Sequence, residues 1–116
     1  MIKSAKIDLT GFWEVFAGDT DTAAEVVNMF SDYAPILLEE IDVALEELNS
    51  EVMLLKIHQL KGTIAYLGFS DISNLIKSIE ENIKERGLPS GAIDYVRLKQ
   101  EVTFLEEYLV KEVLQE

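Results

Sequence analysis

Apolar side chains recur every three or four residues along almost the whole of this 116-residue chain, the period of a helix with one buried face. Val26, Phe30, Tyr33, Leu37, Ile41, Ala44 and Leu48 keep that spacing, which predicts a helix from Asp19 or Thr20 to about Leu48. Asp19 and Thr20 have side chains able to satisfy free N–H groups at its start. Pro35 interrupts the pattern without ending it, so a kink or short break is expected there. A second long helix, about Ser50 to Leu67, has Met53, Ile57, Leu60, Ile64 and Leu67 as its stripe. Gly68 suits a left-handed turn after it, and Ser70 is placed to cap the next helix. That third helix, Ser70 to about Arg86, has Ile72, Leu75, Ile76, Ile79 and Ile83 to bury. "RGLPSG" reads as a loop, and a last helix from about Ser90 to Leu114 has Leu98, Val102, Leu105, Leu109 and Val113 on one face. Ahead of all four, "DLTGFWEVFAGD" is a short amphipathic segment with Phe12, Trp13 and Phe16 to bury, ended by Gly18 and Asp19.

Four long helices with short connections pack most simply as an all-α, antiparallel up-down-up-down four-helix bundle, here with a short extra N-terminal helix. At this length residues 1–116 make a single domain, and 48% hydrophobic residues are enough to give it a core. There is no cysteine, which removes disulfides and thiolate metal sites and suits a reducing compartment. "MIKSAKIDLTGFWE" lacks the apolar run of a signal peptide, and no stretch approaches the length of a membrane span, so a cytoplasmic protein is expected, and a monomer. A net charge of −12 repels phosphate backbones and anionic lipid, so neither nucleic acid nor membrane is an expected partner.

The charge is uneven. Residues 51–68 hold two lysines, Lys56 and Lys61, against one acid, Glu51, and they contain the only histidine, His58. At about 100° per residue, His58 points roughly 130° away from the centre of its helix's apolar stripe, out of the bundle. Within about 60° of it on the helix surface lie Leu54, Leu55, Lys61, Gly62, Ala65 and Phe69. A lone helical histidine or lysine is most often just a solvated side chain. Gly62 is harder to dismiss, because glycine inside a helix costs about 1 kcal/mol relative to alanine. It therefore signals close approach, and its position beside an outward-facing His58 favours an external partner over a neighbouring helix.

Together these residues have a chemical logic. A neutral imidazole nitrogen is a good nucleophile near neutral pH and can accept a phosphoryl group from an aspartyl phosphate. Lys61, one turn on, can offset the charge of the product. Gly62 removes the side chain that would block a partner's active site, and Leu54, Leu55, Ala65 and Phe69 form an apolar docking rim. The partner would bring Mg²⁺ and the carboxylates that hold it, so no cofactor of the chain's own is expected.

"HQLKGTIAYLG" is similar to the signature of histidine-containing phosphotransfer (HPt) domains. That pattern is His-x-Leu-Lys-Gly, a small or hydroxyl residue, and a second glycine ten positions after the histidine. It is matched by His58, Leu60, Lys61, Gly62, Thr63 and Gly68. "IDLTGFWEVFAGDTDTAAEVVNMF" looks like the family's N-terminal segment, and Ile79–Glu80 falls where its third helix usually carries Leu-Glu. The resemblance implies a four-helix bundle with His58 phosphorylated, Lys61 stabilising the phosphoryl group and Gly62 giving steric access. It also implies response-regulator receiver domains, free or within a hybrid sensor histidine kinase, as partners. Ile64 and Tyr66 depart from the small residues often found there. Ile64 belongs to the core stripe, whereas Tyr66, one turn beyond Gly62, sits where it can narrow which receivers dock.

Two other classes are weaker. A non-phosphorylated bundle that only binds receivers or other proteins would not need the intact His58–Lys61–Gly62 set. A histidine-dependent enzyme or metal protein would need carboxylates or a pocket beside His58, and that convex face is expected to have no carboxylate within a turn and to offer little of a pocket. No ATP-binding motif accompanies the set, so a phosphocarrier without autokinase activity is expected.

Overall fold

A computed structural model describes residues 7–114. Its α-helices are α1 (Thr10–Phe16), α2 (Thr20–Glu46), α3 (Ser50–Tyr66), α4 (Ser70–Arg86) and α5 (Tyr95–Leu109). A single 3₁₀ turn, Ser90–Ala92, precedes α5, and a π-helical turn, Val110–Leu114, follows it. α3 packs on α2 and α4, and α5 packs on α4 and α2, which closes a four-helix bundle. No helix among the described residues is long and apolar enough to cross a membrane.

The helix starts follow side-chain chemistry in two cases. Asp19 Oδ1 accepts from the Thr22 N–H at 3.0 Å, and Asn49 Oδ1 accepts from the Val52 N–H at 3.1 Å. Ser70 does not cap α4, contrary to expectation. It is the helix's first residue, and Phe69 stands in the cap position with no side-chain bond to the helix. Pro35 does not break α2 either: the helix runs without interruption through it. Pro35 is exposed, while Phe30, Ala34, Leu37 and Leu38 on either side are held in the core.

The buried face of α2 also differs in part. Ala23, Val27 and Ala34 are buried with Phe30, Leu37, Ile41 and Ala44, whereas Val26 is half-buried and Tyr33 is exposed. Leu48 is exposed too, because α2 ends at Glu46 and Leu48 takes φ 54° in the turn that follows. Ile72, Leu75 and Val113 lie half-buried at the core's margin. The last helix begins at Tyr95, five residues later than expected from Ser90, because Gly91 turns in against α4. Inside the bundle the Tyr95 hydroxyl lies 2.9 Å from Asp42 Oδ1 and 3.2 Å from the Leu38 carbonyl oxygen. Lys99 Nζ holds the other Asp42 oxygen at 2.6 Å, so one carboxylate ties α2 to α5. Burial, aided by that carboxylate, pushes the Tyr95 phenol far above its ordinary range.

α1 closes one end of the bundle. Phe12 stacks on Phe69 with centroids 6.0 Å apart, and Phe16 meets Tyr66 edge-on at 6.3 Å. The contact is possible because two backbones cross without side chains. A Cβ on Gly68 would lie 2.9 Å from the Gly11 carbonyl oxygen, and Gly68 has φ +92°. The second glycine of the "HQLKGTIAYLG" stretch thus serves the fold.

Candidate functional site

The stripe of α3 is buried throughout, with Met53, Ile57, Leu60, Ile64 and Leu67 each at 0% exposure. The outward direction of His58 follows from that, and its side chain is 68% exposed. One edge of its ring is nevertheless held. His58 Nδ1 lies 2.9 Å from Glu80 Oε2 of α4, and Lys61 Nζ lies 2.6 Å from Glu80 Oε1. Glu80 itself is only 8% exposed, so one buried carboxylate is shared between an imidazole and an ammonium. Among the described residues it is the one charged side chain in the core.

Burial pushes the Glu80 carboxyl up, but the hydrogen bonds and charges of Lys61 and His58 together outweigh it and leave it below the usual range. The stability this adds is present above the ordinary carboxylate range and is lost as acid takes the medium down through the lowered folded value. An ionised carboxylate only accepts, so Nδ1 carries the hydrogen in this contact. In the neutral ring the lone pair is then on Nε2, the nitrogen that faces outward. A neutral nucleophile directed at solvent, with its other nitrogen fixed, can attack an electrophile brought by a partner but has no cleft of its own.

The other flank of α3 faces α2. Gln59, Gly62, Thr63 and Tyr66 line an apolar groove with Val26, Met29, Phe30 and Tyr33 of α2. Met29 and Tyr66 stand out from it at 68% and 59% exposure, and the Tyr33 hydroxyl donates to Gln59 Oε1 at 3.3 Å. Among the described residues, a Cβ on Gly62 would meet no atom within 4 Å outside its own stretch of α3, so the glycine is not there to let another helix approach. Gly62→Gln should therefore keep or raise stability, by about 0.5 kcal/mol from helix propensity. The same variant should slow transfer from a receiver about tenfold or more, as expected for a loss of ~1.4 kcal/mol in docking. Thermal melting beside a transfer assay checks both, and a destabilised variant with normal transfer would assign Gly62 to packing.

Of the expected docking rim, Leu55, Ala65 and Tyr66 are exposed, and Leu54 is half-buried against the core. Phe69 is not on the rim. It is buried under Phe12, because α3 ends at Tyr66 and the chain turns inward after Gly68. Sequence reading missed three contributors. Glu80 was matched only to a family pattern, although an acid directly beside Ile79 in the buried stripe of α4 was a usable sign. Met29 and Tyr33 form a second apolar row on α2, which periodicity alone assigned to neither face or to the core.

A family model described as "Hpt domain" matches residues 25–111 of the chain. The chain is also similar to the signal transduction histidine-protein kinase BarA of Shigella flexneri, 31% identical over 68 residues. That match covers 59% of this chain and 7% of the kinase, so the chain spans a small fraction of its relative. No solved structure gives a significant match.

Proposed function

Since the chain belongs to the Hpt domain family, we propose that it is a phosphorelay carrier of two-component signalling in which His58 Nε2 takes a phosphoryl group from a receiver's aspartyl phosphate and yields it to another receiver. The observation that supports this most is the pairing of an outward Nε2 with an Nδ1 committed to Glu80. The Nε2 lone pair attacks phosphorus, and the bond from phosphorus to the aspartyl oxygen breaks with its electron pair returning to that carboxylate. Gly62 leaves the approach open, and the groove of Met29, Tyr33, Gln59 and Tyr66 beside it receives the partner's apolar surface. Leu55 and Ala65 extend that surface. Both oxygens of Glu80 are already engaged by His58 and Lys61, so this carboxylate is not free for the Mg²⁺ such transfers use, which the receiver's carboxylates would hold. We place the module in the cytoplasm with its receivers, acting as a single domain and without kinase activity of its own.

A receiver carrying radiolabelled aspartyl phosphate tests the reading. Label should move to this chain, be released by acid and survive alkali. No label, or acid-stable label, would sink it. Lys61 serves as a charge partner and not as the nucleophile. Lys61→Ala should still accept phosphate, but transfer should slow or the phosphohistidine lifetime shorten about 5- to 30-fold, the equivalent of 1–2 kcal/mol. Unchanged kinetics and lifetime would mean that Lys61 only neutralises Glu80.

A further inference from the structure

We infer that Glu80 keeps the Nδ1 proton on the imidazole after His58 is phosphorylated, so that the phosphoryl group departs from an imidazolium ring. The inference rests on the phosphocarrier reading and concerns the second half of its cycle. When Nε2 forms its bond to phosphorus, the ring acquires a positive charge while the hydrogen is still on Nδ1. Two outcomes are open. If that proton passes to water, the phosphorylated ring is neutral, and the next transfer must expel an imidazolate anion. If it stays, the leaving group is neutral imidazole with its hydrogen on Nδ1, the tautomer from which the cycle began. No proton and no co-reactant is then needed at either step.

The geometry favours retention. Nε2 is the ring nitrogen remote from Glu80, so adding phosphorus there need not disturb the 2.9 Å contact at Nδ1. Loss of the proton would set a bare nitrogen lone pair against Oε2, two acceptors with no hydrogen between them. Glu80 cannot turn away cheaply, because its other oxygen is held by Lys61 at 2.6 Å and the group is 8% exposed. A buried, fixed anion is also poorly screened by water and salt. By helical register the other charged or titratable groups on the faces toward the ring are Lys61, one turn on, and Glu51, two turns back, on α3, and Lys77 and Lys84, one turn to either side of Glu80, on α4, while the Tyr33 hydroxyl of α2 is bonded to the adjacent Gln59. The cations oppose protonation, but they are common to the parent and to a Glu80 variant, so the difference between the two isolates Glu80.

The test needs no receiver. Potassium phosphoramidate loads the full chain, the bond from phosphorus to ammonia breaking as the bond to the ring forms. The ring nitrogens of the phosphorylated residue are then titrated by NMR in the folded parent, in the parent unfolded in urea, and in Glu80→Gln. The folded parent should titrate about one to two pH units above the unfolded chain, the equivalent of a charge-assisted hydrogen bond. Glu80→Gln should fall to the unfolded midpoint or lower, since its amide can donate to a bare Nδ1. Above the parent's midpoint its phosphohistidine should outlive the parent's by about tenfold for each pH unit that separates the two midpoints. A folded parent that titrates no higher than the unfolded chain overturns the inference, whether or not the variant folds. Phosphorylation at Nδ1 would overturn it as well, while leaving a phosphocarrier. Failure to phosphorylate His58 at all would bring down the phosphocarrier reading itself.

Discussion

His58→Gln should abolish acid-labile phosphate uptake and should change the free energy of unfolding by no more than about 0.5 kcal/mol. The first half follows from chemistry, since an amide nitrogen has no lone pair available for attack on phosphorus and no other imidazole exists in the chain. The second half follows from position. The His58 side chain is 68% exposed and belongs to no part of the buried stripe of α3. Glutamine also keeps an N–H that can donate to Glu80, so the buried carboxylate is not left with Lys61 alone. Urea denaturation and receiver-dependent labelling of the same preparation measure both. A loss of several kcal/mol would show that His58 supports the bundle, and retained label would place the acceptor elsewhere.

Gly91→Ala should cost about 2–4 kcal/mol of stability, the largest loss expected from any single methyl group in this chain. A Cβ there would lie 2.4 Å from the Asn82 carbonyl oxygen and 2.6 Å from the Asn82 carbonyl carbon and from Ile83 Cα. All three are backbone atoms of α4, so no side-chain rotation relieves the overlap. The turn cannot easily withdraw, since the Gly91 N–H donates to the Gly87 carbonyl at 2.8 Å and the Ala92 N–H to that of Pro89 at 2.9 Å. α4 carries Glu80, so any relaxation of α4 moves the carboxylate that holds His58. Denaturant unfolding checks the loss, and a variant within 0.5 kcal/mol of the parent, the ordinary range for an exposed site, would show that the contact is soft.

The direction of His58 and the openness at Gly62 were legible in the sequence because both depend on one helix alone. Five apolar residues fix the inner side of α3, and the angle to His58 and Gly62 follows from 3.6 residues per turn. Phe69 was misplaced by the same arithmetic, carried three residues past the point where α3 ends at Tyr66. Tyr33 was misplaced for a different reason. The apolar residues of α2 admit two tracks, one through Val26 and Tyr33 and one through Val27 and Ala34. The second is buried, the small Ala34 sitting where the bulkier Tyr33 was expected. Glu80 depends on two helices at once. Only the packing of α4 on α3 converts an acid beside Ile79 into the shared partner of His58 and Lys61. Gly91 is of the same kind, a loop residue by composition and a contact residue by tertiary position.

The two flanks of α3 carry separate duties. Toward α4 lie Lys61 and the Glu80 carboxylate, which govern the imidazole's protons. Toward α2 lie Gln59, Thr63 and Tyr66, facing Met29 and Tyr33, and the hydrogen-bond partners of that carboxylate, His58 and Lys61, are not among them. Selection for a new partner can therefore act on one set of positions while reactivity is inherited unaltered through the other. Duplicated copies of such a module could diverge in whom they address without first passing through a chemically inactive form.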